Sequence, residues 1–436
     1  MIAAAAAQIA PLAADVVAAL QTRLVDYPAG VIVVGRQNGD AVRIDVIRGA
    51  SAPEASGDTP FEVGSITKTV TGVLLADAIR RGEVGESEPI DDLLPDGVTA
   101  PSREGQQITL GELATQRSGL PRMAFNGPES TSNDPYVNYD RNAMFDFLSH
   151  YTLLRAPGSL YEYSNYGFGL LGTLLADRAH VPYATLARER VFAPLGMTAT
   201  AADSSLDPRL LPQFDGDGDP QNPWHMGAIA PAGGVRASAN DLLRFATASF
   251  PDAKGAVAAD MRAAIAPHAQ IPGGSIGYAW ILTPGGIVWH NGATGGADSW
   301  LGMIPAERTS VVLLSNVGLL FSMPLDDVGI HLLAPQAPLV AYVHPSVAPA
   351  LLDRYVGRYH LTGGTVLDVE RDGRGLTAQL TGQPRFRLWP NSATQFSWRQ
   401  VPAKIDFTVA NGRVTGATLH QGGADTPLTR SSTRSE

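Results

Sequence analysis

Phe61-Glu62-Val63-Gly64-Ser65-Ile66-Thr67-Lys68-Thr69-Val70 sets a hydroxyl one helical turn before an amine. Residues three apart on a helix share a face, so Ser65 and Lys68 can touch. A serine hydroxyl is a weak nucleophile until a base takes its proton. A lysine serves as that base only where burial or neighbouring charge makes its neutral form accessible. Bringing an amine from about 10.4 towards neutrality costs roughly 4 kcal/mol, so such a site has to be built. Of the 32 basic residues only Lys68, Lys254 and Lys404 are lysines, so lysine at 68 runs against a strong preference for arginine, the base that stays protonated. Alone, Ser-x-x-Lys also fits an exposed pair opening an amphipathic helix, and the other motifs must decide.

A chain of 436 residues, 44% of them hydrophobic, is long enough for two or three domains with a large core. Its formal charge of −10 argues against a nucleic-acid partner held by phosphate neutralisation. The charge is uneven: residues 351–436 carry 11 basic and 7 acidic residues, which suggests a separate C-terminal unit. The absence of cysteine removes thiol nucleophiles, zinc-thiolate sites and disulfides. No apolar run reaches transmembrane length, so no membrane span is expected. The start, Met1 to Ala7, is too short for a secretory core and lacks a basic flank, though it fits the remnant of a trimmed signal. The expectation is a periplasmic or secreted protein, with the cytoplasm left open.

Outward from Ser65, residues 11–24 have helical spacing, and 30–35 with 42–48 read as a hairpin across Gln37-Asn38-Gly39-Asp40. The apolar positions after Ser65 continue as a buried helix to Arg80-Arg81-Gly82, putting the hydroxyl at a helix N-terminus. From about 85 to 225 helical segments alternate with loops. There Asp215-Gly216-Asp217-Gly218-Asp219 opens like a calcium loop, but its twelfth position is Met226, so a solvated turn is expected. Ser238-Ala239-Asn240-Asp241 is a helix start for Leu242–Ser249. Strands are expected at 276–283, 286–291, 298–304 and 309–315, continuing the sheet of the hairpin, and a helix near 325–333 closes the body. A Pro-rich linker spans 335–349. Alternating runs at 365–370, 376–381, 395–400, 405–409 and 414–420 then predict a small antiparallel barrel.

Two further stretches sharpen the Ser-x-x-Lys reading: Tyr161-Glu162-Tyr163-Ser164-Asn165-Tyr166-Gly167 and Val288-Trp289-His290-Asn291-Gly292-Ala293. With Ser65-Ile66-Thr67-Lys68, the triplets Tyr163-Ser164-Asn165 and His290-Asn291-Gly292 resemble, in order, the motifs of the penicillin-binding and class C β-lactamase superfamily of serine hydrolases. The resemblance covers roughly residues 10–335 and takes in Ser118-Gly119-Leu120-Pro121 and Pro231-Ala232-Gly233-Gly234. It implies that Ser65 forms an acyl-enzyme while Lys68 and Tyr163 move the proton. It further implies that Asn165, Asn291 and Gly292 contact the substrate, and that the backbone N–H groups of Ser65 and Ala293 form the oxyanion hole. His290 stands where many relatives have lysine, and is expected to donate to Tyr163 or to meet a substrate carboxylate. The C-terminal stretch from Leu351 resembles lipocalin-like domains appended to some members.

Competing motifs are weaker. Gly273-Gly274-Ser275-Ile276-Gly277 fits the string of a nucleophile elbow, but an elbow needs a strand before it and a helix after, and Pro272 and Tyr278–Leu282 supply neither. The Gly64–Thr69 segment lacks the glycine a phosphate-binding loop needs before its lysine. Taken together, the expected fold is α/β, an antiparallel sheet flanked by helices with an inserted helical region at about 85–225, in a hydrolase domain of 1–334. The linker 335–349 leads to a lipocalin-like barrel at 350–436. The expected activity is cofactor-free and metal-free hydrolysis of an ester or amide in a small-molecule or peptide substrate. His-x-Gly points to the D,D-carboxypeptidase, D-aminopeptidase and esterase branches; the alternative is a β-lactamase or a slowly deacylating penicillin-binding protein. A homo-oligomer is left open.

Overall fold

Val31-Ile32-Val33-Val34 is apolar at every residue, the pattern of a strand covered on both faces, and all four side chains are buried. The computed structural model describes residues 8–431 except 125, 128–133, 203–206, 343, 344, 346 and 374. The four valine-rich positions open β1 (Val31–Asn38), joined to β2 (Ala41–Arg48) across a turn in which Gly39 takes φ +58°. Two short antiparallel pairs follow, β3 (Phe61–Glu62) with β6 (Arg236–Ala237) and β4 (Gln213–Phe214) with β5 (Pro220–Gln221). The remaining strands of the body are β7 (Ala269–Ile271), β8 (Gly274–Ile276), β9 (Ile281–Leu282), β10 (Val288–Ala293), β11 (Asp298–Ile304) and β12 (Thr309–Ser315). They complete an eight-stranded antiparallel sheet ordered β2-β1-β12-β11-β10-β9-β8-β7.

The helix Thr67–Arg80 is buried at every residue from Thr67 to Ala78, which explains why its sequence shows no polar stripe. Its Gly72 lets Tyr278 pack closely: a Cβ there would fall 2.3 Å from the Tyr278 carbonyl oxygen. The helix Asp326–Leu333 crosses β11 and lays Gly329 on the Trp300 ring, while Arg23 from the N-terminal helix Ala14–Arg23 pairs with Asp327. The intervening stretch holds the helices Leu110–Ala114, Arg141–His150, Asn165–Arg178 and Tyr183–Ala187 between long loops.

Three details differ from the sequence reading. The strand expected over 276–283 is interrupted, because Tyr278 N–H donates to Ala264 O and Ala279 N–H to Ala114 O, pulling the backbone off the sheet with Ala279 at φ +70°. The C-terminal piece closes as an eight-stranded antiparallel barrel, three strands more than the alternating runs marked. Its extra strands are Gly357–His360, Arg385–Pro390 and Ala424–Arg430, whose arginines, proline and glycine hid the alternation. The barrel is filled by Tyr355, Tyr359, Phe396 and Phe407, with the Tyr355 and Phe407 rings stacked at 4.4 Å.

The chain divides into two compact units, one running through Phe214, Pro220–Val317 and Leu325–Leu339, the other comprising Asp215–Asp219, Gly318–Pro324 and Val340 onward. Asp215–Asp219 is therefore not the solvated turn expected. Asp217 is buried, accepting from Trp389 Nε1 at 2.7 Å and from Gln400 Nε2 at 2.8 Å. Among the described residues no helix is long and apolar enough to cross a membrane.

Candidate active site

Ser65 lies in a 3-10 turn, Gly64–Ile66, that runs straight into the helix carrying Lys68. Two glycines bring this turn against the end of β10. Gly64 takes φ +47°, and a Cβ on it would fall 2.5 Å from Ala293 N. A Cβ on Gly292 would fall 2.0 Å from Val63 O and 2.7 Å from Ser65 N. The main chains of Ser65 and Ala293 thus meet without side chains between them, which is what two N–H donors need in order to converge on one oxygen. β9 pairs with β10 only at Val288 and Trp289, so the far half of β10 is left to face the serine turn. Ser299 clamps the two pieces, its hydroxyl lying 2.9 Å from Val63 O and 3.2 Å from Gly292 O.

Lys68 is fully buried; its Nζ lies 2.9 Å from Ser65 Oγ and donates to Ala232 O at 2.7 Å. Burial first, and the Arg122 charge second, hold its pKa well below the usual amine range. A neutral amine has two N–H bonds and one lone pair. With an N–H fixed on Ala232 O, the lone pair is available to the Ser65 proton.

Tyr163 reaches the same point from the loop before the helix Asn165–Arg178. Its ring centroid lies 4.9 Å from Lys68 Nζ, and its phenol is turned towards Ser65. Burial raises its pKa, so it stays a protonated phenol. Asn165 is the first residue of that helix, its N–H donating to Arg122 O at 3.0 Å.

His290 is buried on β10, its ring 6.3 Å from that of Tyr163. Desolvation, aided by the nearby Lys68, pushes its pKa down to about 3, so the imidazole is neutral at physiological pH. Its Nδ1 faces Asn291 O, which only accepts, so the proton of the neutral ring sits there and Nε2 carries a lone pair. In that state His290 can accept from Tyr163 but has no charge to offer a carboxylate. Asn291, one residue on, points to the other face of the strand, where its amide donates to Asp326 at 2.8 Å.

Three residues at this site went unassigned in the motif reading. Ser299 gave no signal, being one hydroxyl in a strand. Arg122, directly after Ser-Gly-Leu-Pro, stands with its guanidinium carbon 5.0 Å from the Tyr163 ring centroid. Gln116, also near that string, takes φ +59° and accepts the Ser164 N–H on its side-chain oxygen at 2.7 Å. The competing Ser275 sits in the β7–β8–β9 meander and accepts from Gln270 Nε2, with no strand-to-helix elbow around it.

Fold and site together define a serine-hydrolase scaffold of the Ser-x-x-Lys kind. The chain belongs to the Beta-lactamase family, which it matches over residues 20–334; residues 341–432 match a domain of unknown function (DUF3471). It is 30% identical over 272 residues to the D-alanyl-D-alanine-carboxypeptidase/endopeptidase AmpH of Escherichia coli K12, covering 58% of this chain and 69% of that protein. It is 25% identical to penicillin-binding protein 4* of Bacillus subtilis over 85% of this chain and 87% of that one. Among solved structures, the octameric penicillin-binding protein homologue from Pyrococcus abyssi superposes with a TM-score of 0.64 at 18% identity, over 95% of this chain and 99% of that one. A β-lactamase/D-alanine carboxypeptidase from Yersinia pestis gives a TM-score of 0.61 at 22% identity, over 72% and 96% of the two chains. The protein is a β-lactamase-related serine hydrolase with a C-terminal β-barrel.

Proposed function

We propose that this enzyme cleaves an ester or amide bond through a Ser65 acyl-enzyme, as an esterase or a peptidase of the carboxypeptidase-like branch. The observation that carries the reading is the wholly buried Lys68 amine 2.9 Å from Ser65 Oγ, tied down by Ala232 O. Lys68 takes the serine proton as Oγ bonds to the substrate carbonyl carbon, and the N–H groups of Ser65 and Ala293 receive the developing oxyanion, each worth about 3 kcal/mol. The proton passes by way of Tyr163, a neutral phenol with a donor to give, to the leaving group as the carbonyl re-forms. Water then attacks the ester, with the same base accepting its proton. His290 stands beside the phenol, its ring 6.3 Å from that of Tyr163; Asn165 and the Gly292 backbone border the substrate.

A second reading, acylation by β-lactams with rapid or very slow release, is favoured by the relatives named penicillin-binding proteins and β-lactamases. A panel of p-nitrophenyl esters, D-amino acid amides and nitrocefin separates the two. Turnover of esters or amides ahead of nitrocefin supports the first, and nitrocefin turnover alone, or penicillin labelling without release, the second. The reading carries with it a periplasmic or secreted location, tested by fractionating cells that express the full-length gene. Assembly into a homo-oligomer, as in the octameric Pyrococcus homologue, is tested by light scattering.

A further inference from the structure

A hydrolase that prefers carboxylated substrates needs a cation within reach of its nucleophile. Neither expected candidate supplies one: burial and the neighbouring Arg122 charge keep Lys68 towards its neutral form, and His290 is neutral with its proton turned to Asn291 O. The positive charge felt at Lys68, Tyr163, Tyr136 and Tyr161 alike is that of Arg122. Its guanidinium carbon stands 5.0 Å from the ring centroid of Tyr163, the phenol beside Lys68, while the residue as a whole is exposed. Among the described residues no carboxylate pairs with it. Its position is not loose, because Arg122 O accepts the N–H of Asn165 at 3.0 Å and of Tyr166 at 3.3 Å, hitching it to the first turn of the helix that follows Tyr163. Tyr136, packed edge-on against Trp224 at 5.3 Å, and half-buried Tyr161 add apolar surface within the reach of the same charge.

An exposed guanidinium, anchored by its main chain, stacked near the reactive phenol and without an ion-pair partner, has its fork of N–H donors available for a planar anion. We propose that Arg122 is the specificity-determining residue of this site, receiving a carboxylate of the substrate, so that the preferred substrates are anionic esters or peptides. This rests on Ser65 being the nucleophile.

The test uses the full chain and two matched pairs of esters, measured at a pH on the plateau of each variant. One pair is p-nitrophenyl hydrogen glutarate with p-nitrophenyl valerate, carrying the charge on the acyl side. The other is m-carboxyphenyl phenylacetate with phenyl phenylacetate, carrying it on the leaving group. In Arg122→Gln the ratio of kcat/KM for the charged over the neutral member should fall roughly 10- to 100-fold in at least one pair, mainly through KM, as expected for a lost charge-assisted bond. Arg122→Lys should recover part of that ratio, since it restores the charge without the fork. Ratios unchanged in both pairs would overturn the proposal, and equal loss in both members would assign Arg122 to tuning Lys68 instead. Ser65→Ala keeps the two readings apart: if it is inactive while Arg122→Gln leaves both ratios unchanged, only the present inference fails, and if it retains turnover the nucleophile assignment itself fails.

Discussion

The side-chain oxygen of Gln116 accepts the backbone N–H of Ser164 at 2.7 Å, and Ser164 is the residue between Tyr163 and Asn165. The link is doubled, since Glu162 N–H donates to Gln116 O at 2.8 Å, so one left-handed residue grips the whole Tyr-x-Asn turn. Gln116→Ala leaves a buried N–H without an acceptor, a loss of about 1–3 kcal/mol. It should also lower kcat by roughly tenfold or more by letting Tyr163 drift, since small misplacements are costly. Steady-state kinetics alongside urea unfolding checks this: reduced stability with kcat intact would make Gln116 structural only.

The sign of the pH dependence follows from Lys68. Its neutral form is the base and its pKa is lowered, so kcat/KM should fall towards acid pH as the amine protonates, with that limb lying well below the ordinary amine range. His290, already neutral down to about 3, should add no ionisation above that, and Tyr163, its pKa raised, no basic limb near neutrality. Lys68→Arg, which cannot give up its proton, should lose roughly 10²- to 10⁴-fold in kcat. A pH–rate profile of wild type against His290→Asn measures both points; an acid limb that disappears in His290→Asn would assign the titration to the imidazole.

Gly292→Ala drives a methyl to within 2.0 Å of Val63 O and 2.7 Å of Ser65 N, so strand and serine turn have to part. Displacing an oxyanion donor typically costs about 10²–10³-fold in kcat. The expected outcome is that loss with KM little changed. Ser299→Ala, which removes the clamp on Val63 O without any clash, should produce a milder version of it. Kinetics of the two variants, each checked for native circular dichroism, decides the point.

In the barrel unit, Asp217→Ala strips the acceptor from Trp389 Nε1, while Gln400 Nε2 keeps its bond to Asp215 at 3.0 Å. A buried donor left unpaired costs about 1–3 kcal/mol. Unfolding followed by tryptophan fluorescence should shift to lower denaturant, and Asp217→Asn, which keeps a carbonyl for the indole, should shift less.

The site is most legible in the sequence where one residue's chemistry has few substitutes. Ser65, Lys68, Tyr163 and His290 were named from spacing and resemblance, and the fold places all four around one point. The sheet was legible from Val31–Val34 and from β11 and β12, because strands buried on both faces read as apolar runs. The protonation state of His290 was not, since it depends on complete burial and on the neighbouring amine, neither of which a linear motif carries. Nor was the side to which Asn291 points, which strand alternation sets once the face of His290 is known. The barrel was undercounted because closure lets strands such as Arg385–Pro390, rich in arginine, sit with only one inward side chain fully buried.

The central claim is that Ser65 carries the acyl group, and intact-mass spectrometry reads it directly. Wild type mixed with a slowly released acylating probe, such as a fluorescent penicillin or a p-nitrophenyl ester quenched in acid, should gain one acyl mass, mapped by peptide digestion to the segment containing Ser65. Ser65→Ala should gain none while keeping the native circular dichroism, and Ser275→Ala should label like wild type. An adduct that persists in Ser65→Ala, or that maps to another residue, would contradict the account.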